Sequence, residues 1–405
     1  MKPLTHRQPL YYMSSCYFLW GTITVICTSL LPVFRQVFEL SYEAVAIFPM
    51  IFFLTRVVMS LPNSVALNRW GYRATLNGAL MLCACACLGL SLALYQHHFE
   101  LVLVAYLLLS MGISALQLAA QTYVSVAAVA GQKSQSQSFA TSCNSLGTTV
   151  GPLLLSLVLA SAASIGLLHT NQALALVFSC LCLLALPLWR ISRAVPELPT
   201  KASVGFRSGL TTLKNNRPFI YAVIALILYM GVEVALGAYA IDYLMTIDVA
   251  QSTAISMASG YWLLMLLGRL LYTKIGNDQR ARMWLLSASS LAIVGCLFAA
   301  ISQNFSGAMV LLAMGLLNSA MYPIIYSRAM MIAGEHASQA SALLIMATVG
   351  GALIPSLQGV IIGLSNIFVS FGALSVVYLL LTLFAALAFA SSDGGIRAVS
   401  HKQLS

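Results

Sequence analysis

The residue with the most chemistry to offer in this chain is a carboxylate in the middle of an apolar stretch. Glu233 lies within FIYAVIALILYMGVEVALGAYAIDY at 219–243. The nine other acidic residues, Glu39, Glu43, Glu100, Glu197, Asp242, Asp248, Asp278, Glu335 and Asp393, fall in loops, tails or helix ends. A helix rising about 1.5 Å per residue sets Glu233 deep in a hydrocarbon layer about 30 Å thick. Placing a carboxylate there costs about 2.5–3.5 kcal/mol on insertion scales, so such a group faces a wet cavity or a partner and marks a functional site. The chemistry open to it is reversible protonation and hydrogen bonding to a polar ligand. The bland alternative is a protonated carboxyl bonded to a neighbouring helix.

Other polar side chains in apolar stretches suit a ligand rich in hydroxyls. Gln117 and Gln121 stand four residues apart on one helix face, and amides offer the donors and acceptors that hydroxyls require. Asn144, Asn318, Tyr229 and Tyr322 add more such groups, while Trp20, Tyr261 and Trp262 offer flat apolar surfaces. Arg56, in FFLTRVVMSLP, is a second intramembrane charge. Three roles fit it: neutralising Glu233, forking onto an anionic ligand group, or snorkelling to the interface. No nucleophile, base and orienting group assemble from these residues, so an enzyme is not expected.

The elements that must position these groups follow from composition. Sixty per cent of the 405 residues are hydrophobic and seven per cent charged, where a soluble domain carries about a quarter charged. This predicts an all-α polytopic membrane protein. Twelve runs of spanning length are read at 11–32, 44–63, 74–95, 100–128, 137–163, 167–189, 219–243, 252–273, 282–302, 306–332, 338–363 and 366–390. The polar start MKPLTHRQPL does not read as a cleaved signal peptide. The net charge of +10 comes from Lys and Arg in the N-terminus, the loops after even-numbered spans and the tail, with only Arg35 in the opposite loops. Both termini are therefore expected in the cytoplasm, and the charge calls for no nucleic acid. The nine cysteines, among them Cys83, Cys85 and Cys87, fall inside spans and read as packing residues; neither a metal nor a cofactor is expected.

One polar segment, 190–218, divides the chain. Residues 1–189 and 219–390 are then two six-helix halves, with 391–405 a cytoplasmic tail. Six plus six around a basic loop is the plan of the major facilitator superfamily, whose halves rock about a midplane site. The stretch SVALNRWGYRATL at 64–76 resembles that superfamily's loop motif through Arg69, Gly71 and Arg73, with Asn68 where an Asp is usual and Ser64 where a Gly is usual. Such loops put cations beside helix ends and latch the halves. Further stretches, ALQLAAQTYVSVAAVAG (115–131), SFATSCNSLGTTVGPLLLSLVL (138–159), YMGVEVALGAYAIDYL (229–244), NSAMYPIIYSRAM (318–330) and SALLIMATVGGALIPSLQGVI (341–361), resemble the fucose–proton symporter family, most closely its glucose/galactose-type members. The resemblance implies two pseudo-symmetric six-helix bundles in the major facilitator fold.

Residue by residue, the resemblance keeps Trp20, Gly21 and Pro32 but has Cys27 and Thr28 where the family has Asn-Asp, so the family's first-span carboxylate has no counterpart here and uniport or sodium coupling stays open beside proton coupling. Gln117 stands at the family's Glu or Gln position, Gln121–Thr122 replace its Asn-Pro, Asn144–Ser145 are kept, Thr141 replaces a Gln, the Val-Glu-Val around Glu233 is retained, and so is Tyr322–Pro323. Gly147, Gly151, Pro152, Gly350, Gly351 and Pro355 lie in the related spans five and eleven, where close approach and bending are expected, with both helices interrupted. The resemblance implies a secondary transporter, multi-pass in a bacterial inner membrane and monomeric, that imports a monosaccharide or related polyol with a proton or sodium ion. Glu233 is the expected proton-coupling group. The rival is a proton-driven antiporter exporting a drug or anionic metabolite, suggested by Arg56 and by the Gly-x-x-x-Gly-Pro pattern of span five.

Overall fold

The structure is a computed structural model that describes residues 8–30, 34, 37–40, 47–165, 170–198, 206–249 and 251–390. The described residues form helices α1 (Gln8–Ser29), α2 (Ile47–Tyr95), α3 (Phe99–Ala127), α4 (Lys133–Ile165), α5 (Thr170–Ser192), α6 (Phe206–Asn215), α7 (Arg217–Thr246), α8 (Gln251–Ile275), α9 (Asp278–Ser302), α10 (Phe305–Asn318), α11 (Met321–Ala333), α12 (Ala337–Met346), α13 (Gly350–Leu364) and α14 (Ile367–Ala390). Only helices satisfy every backbone group within one crossing of lipid, which is why apolar stretches of this length fold this way. Among the described residues, eight apolar stretches are long enough to span. Two of them, Met50–Tyr95 and Phe305–Leu364, run to 46 and 60 residues, about twice one crossing or more at 1.5 Å per residue. With α4 and α8 the total is the twelve crossings expected from the sequence.

Residues 1–127 and 140–204 form one compact unit, and residues 128–139 and 205–405 the other. In the first, α2 packs on α3 and α5, and α1 on α3. The turn predicted at 64–73 is not a loop. Helix geometry runs through Asn68 and Arg69 and breaks at Gly71 alone, with φ 80° and ψ 176°. That conformation suits glycine, and the carboxylate of Glu197 occupies the space a Cβ would need. Glu197 accepts the main-chain N–H of Tyr72 and of Arg73, the latter at 3.1 Å, while Arg73 Nε donates to the Val195 carbonyl at 3.1 Å. An anion on the first free amides of a helix is the favoured arrangement. The segment after α5 thus caps the second half of α2.

In the second unit α7 packs on α14, α13, α11 and α8, and α9 packs on α14 and α10. Helices α1 and α4 approach at Gly147, which rests on the Phe18 carbonyl, and α7 and α13 at Gly350, which rests on the Ile227 carbonyl. These are corresponding places in the two halves. The expected interruptions differ, however. Span five stays helical through Gly147–Pro152, whereas span eleven breaks at the 3₁₀ turn Ala347–Val349. Span ten, continuous by its apolar pattern, breaks at Ser319–Ala320 between α10 and α11. Parts of the polar segment 190–218 are helical: α5 extends to Ser192, and α6 sets Leu213 into the core while Gly209 abuts Gln339 and His336. At the far end Arg328 Nε donates to the Ala388 carbonyl at 3.0 Å, a cation on the last turn of α14.

Candidate functional site

Helix α7 starts where Asn216 accepts the Phe219 N–H at 3.2 Å with a proline in its first turn, a common start signal. At about 45 Å it exceeds the bilayer core, and Glu233 lies just past its midpoint. The Glu233 side chain is only 11% exposed, and its Oε1 is 3.2 Å from Arg269 Nη2 on α8, itself 9% exposed. Arg269 therefore supplies a cation at Glu233 from within the same unit, a partner that the sequence reading did not name. Desolvating two charges is costly, and removing either partner of such a pair costs about 3–5 kcal/mol.

The pair is built into the break in span ten. Pro323 has no N–H to offer the Ser319 carbonyl, and Arg269 Nε donates to that carbonyl instead, at 3.4 Å. Tyr229, one turn before Glu233, donates its hydroxyl to the Asn318 carbonyl at 3.0 Å. The Asn318 side chain donates to Tyr261 Oη at 2.9 Å and accepts from Tyr378 Oη at 2.8 Å, while the Tyr261 hydroxyl donates to the Glu233 carbonyl at 3.3 Å. Freed backbone carbonyls at membrane depth are thus met by side chains, as they must be. Tyr229, Tyr261, Tyr378 and Asn318 are all fully buried. Tyr322 is 7% exposed, its ring 6.2 Å from that of Tyr229 and stacked on Tyr326. Tyr261 therefore offers its hydroxyl to the protein and not its face to a ligand, which corrects the expectation of a flat binding surface; Trp262 is exposed beside it.

In the first unit, Gln117 is 2% exposed and Gln121 fully buried. The Gln117 amide oxygen has no hydrogen-bond partner among the described residues. With Ser110, Ser114 and Ser125 these amides make a buried polar face along α3, and Asn63 of α2 donates to Ser114 Oγ at 3.1 Å. Asn144 is half-buried and donates to the Tyr17 carbonyl at 3.1 Å, so this amide ties α4 to α1. Trp20 packs on Tyr17, ring centroids 5.4 Å apart. The Arg56 guanidinium lies 4.5 Å over the Phe52 ring and 5.8 Å from that of Trp20, within cation–π range, and the residue is half-buried. The Thr28 side chain and Pro32 lie outside the described residues, as do Arg35 and the tail.

Three groups that hold this framework together are not evident from sequence alone. Arg269 sits inside the apolar span 252–273 but 36 positions from Glu233; a charge within a span is the available signal. Asp278, by its position a loop acid, accepts the N–H of Lys133 at 3.0 Å and both the N–H and hydroxyl of Ser134, at 3.0 and 2.6 Å, so it caps α4. Glu197, by its position a linker residue, caps α2 beyond Gly71.

Several known proteins share this architecture. The family model described as Major Facilitator Superfamily matches residues 13–348. The glucose/galactose transporter of Brucella abortus is 27% identical over 368 residues, 88% of each chain. The L-fucose-proton symporter of Haemophilus influenzae is 23% identical over 389 residues, 87% of this chain and 89% of that one. Among solved structures, the transporter FucP in the outward conformation superposes with a TM-score of 0.84 at 20% identity, covering 94% of this chain and 98% of that one.

Proposed function

The chain belongs to the major facilitator superfamily, and on that premise we propose that it is a secondary transporter that imports a monosaccharide or related polyol by alternating access. The observation that carries the reading is the Gln117 amide oxygen. It is buried, polar and unmatched by any described donor, on a helix face lined with serines and a second amide. An orphaned acceptor of this kind costs about 1–3 kcal/mol, which a sugar hydroxyl would recover. The names of the relatives, glucose/galactose transporter and L-fucose-proton symporter, agree with a neutral polyhydroxylated substrate. In this reading Gln117, Gln121 and Trp20 of the first half and Tyr322 of the second serve the substrate, while Asn144, Tyr229 and Asn318, whose side chains bond within the protein, brace the helices. Asn68, Arg69, Gly71 and Arg73 belong to a gate, and Glu233 is the ionisable group of coupling. The protein would lie in the bacterial inner membrane with both termini cytoplasmic. The halves are taken as 1–189 and 219–390.

A second reading, a proton-driven exporter of a drug or anionic metabolite, is favoured by Arg56, an intramembrane guanidinium held over Phe52 and near Trp20. Purified protein in proteoliposomes separates the two. Uptake of D-glucose or D-galactose, competed by the other, supports import of sugar; movement of organic anions without sugar rejects it in favour of the rival.

A further inference from the structure

Arg269 does more than neutralise a charge. Its Nη2 reaches Glu233 Oε1 on α7 at 3.2 Å, and its Nε reaches the Ser319 carbonyl at the break between α10 and α11 at 3.4 Å. Its own carbonyl accepts from Ser138 Oγ at 2.9 Å and from Thr273 Oγ1 at 2.8 Å. Ser138 belongs to residues 128–139, whose first helical turn is capped by Asp278, and Tyr272 and Gln135 add bonds at 3.2 and 3.3 Å across the same contact. One residue thus touches the intramembrane carboxylate, the helix break and the start of α4.

We propose that Arg269 is a positioning residue that ties the charge on Glu233 to the break in span ten. The proposal rests on Glu233 being the ionisable group of transport. With Glu233 ionised, one guanidinium arm is fixed by a charge-assisted bond, and the other arm donates to the carbonyl that Pro323 leaves free. Neutralising Glu233 takes the ion-pair attraction out of the first bond, leaving a guanidinium donor on a neutral acceptor, and removes the counter-charge that Glu233 gives Arg269. The arm on Ser319 then loosens, and the two halves of span ten bend more freely about residues 319–320. The groups that bear on Glu233 are Arg269 and Tyr261 from α8 and Tyr229 from α7, with Tyr378 of α14 beyond Asn318. Only Arg269, among these, both carries a charge and contacts the break.

The test uses the full chain in proteoliposomes with Ala320→Cys as reporter of the break, its labelling by a membrane-permeant maleimide followed by mass spectrometry of the peptide carrying residue 320. Glu233→Gln keeps the shape and an acceptor oxygen but removes the charge. It is expected to raise labelling about fivefold or more, the low end of a typical coupling free energy, and to flatten any dependence of labelling on pH. Arg269→Gln should raise labelling similarly, and the double variant no further than either alone. Arg269→Lys, which keeps charge but lacks the second arm, should also label fast, and it serves if Arg269→Gln does not insert. Labelling in Glu233→Gln at the parent rate, or additive effects in the double variant, overturns the proposal. If labelling follows this pattern while no sugar is carried, the positioning role stands and the sugar reading fails.

Discussion

Asn318→Leu isolates what the polar node in span ten contributes. The substitution roughly preserves volume and removes two bonds, one donated to Tyr261 at 2.9 Å and one accepted from Tyr378 at 2.8 Å. Tyr261 keeps the Glu233 carbonyl at 3.3 Å, so the Tyr378 hydroxyl is the group left stranded, at 0% exposure. An orphaned buried hydroxyl costs about 1–3 kcal/mol, and the lost Tyr261 bond adds about 0.6 kcal/mol, the average for interhelical bonds in membranes. The sum is about 2–4 kcal/mol, or a fall in Tm of about 4–8 °C at about 2 °C per kcal/mol for a chain of this size. Thermal unfolding of the purified full chain in detergent measures it. Adding Tyr378→Phe removes the stranded hydroxyl and should recover part of the loss. Asn318→Leu unfolding at or above the parent Tm, or Tyr378→Phe deepening the loss, would show that the node does not stabilise the fold in this way.

Three further outcomes are expected. Gly71→Ala should destabilise more than Glu197→Ala, since it adds about 1–3 kcal/mol of backbone strain and drives a methyl into the Glu197 carboxylate, whereas the second change loses only a cap worth about 0.5–2 kcal/mol; equal Tm values would count against this. Asp278→Ala should expose residues 128–139 to limited proteolysis, because the Lys133 and Ser134 amides lose their acceptor, and an unchanged cleavage pattern would show that the cap is idle. Gln117→Leu should leave Tm unchanged or raise it, as the orphaned oxygen goes, while the apparent KM for sugar rises about tenfold, about 1.4 kcal/mol. A lowered Tm with unchanged KM would make Gln117 a structural residue.

The crossings are legible in the sequence because the bilayer itself sets the length of an apolar run, and the positions of α7, α9 and α14 come directly from that length. Features that depend on partners remote in sequence are not. The break at Ser319–Ala320 needs Pro323 to free a carbonyl and Arg269 and Tyr229 to satisfy the freed groups, and only the first of these is local. Gly71 signals a turn, but helix continues on either side of it because Glu197, more than a hundred residues later, caps the second half. Glu233 stands out as the lone acid within a span, yet Arg269 does not stand out in the same way, since a single Arg in MLLGRLL barely lowers the hydropathy around it. Gln117 and Gln121 do share a buried face as their spacing requires, whereas nothing local to Asn144 reveals that its amide is spent on the Tyr17 carbonyl.

In the proposed mechanism, transport passes through the Glu233 carboxylate. Reconstituted Glu233→Gln protein, assayed for gradient-driven accumulation of D-galactose and, separately, for its exchange across the membrane at equilibrium, tests it most directly. Accumulation is expected to be lost and exchange to persist. Accumulation at the parent level in that variant would contradict it.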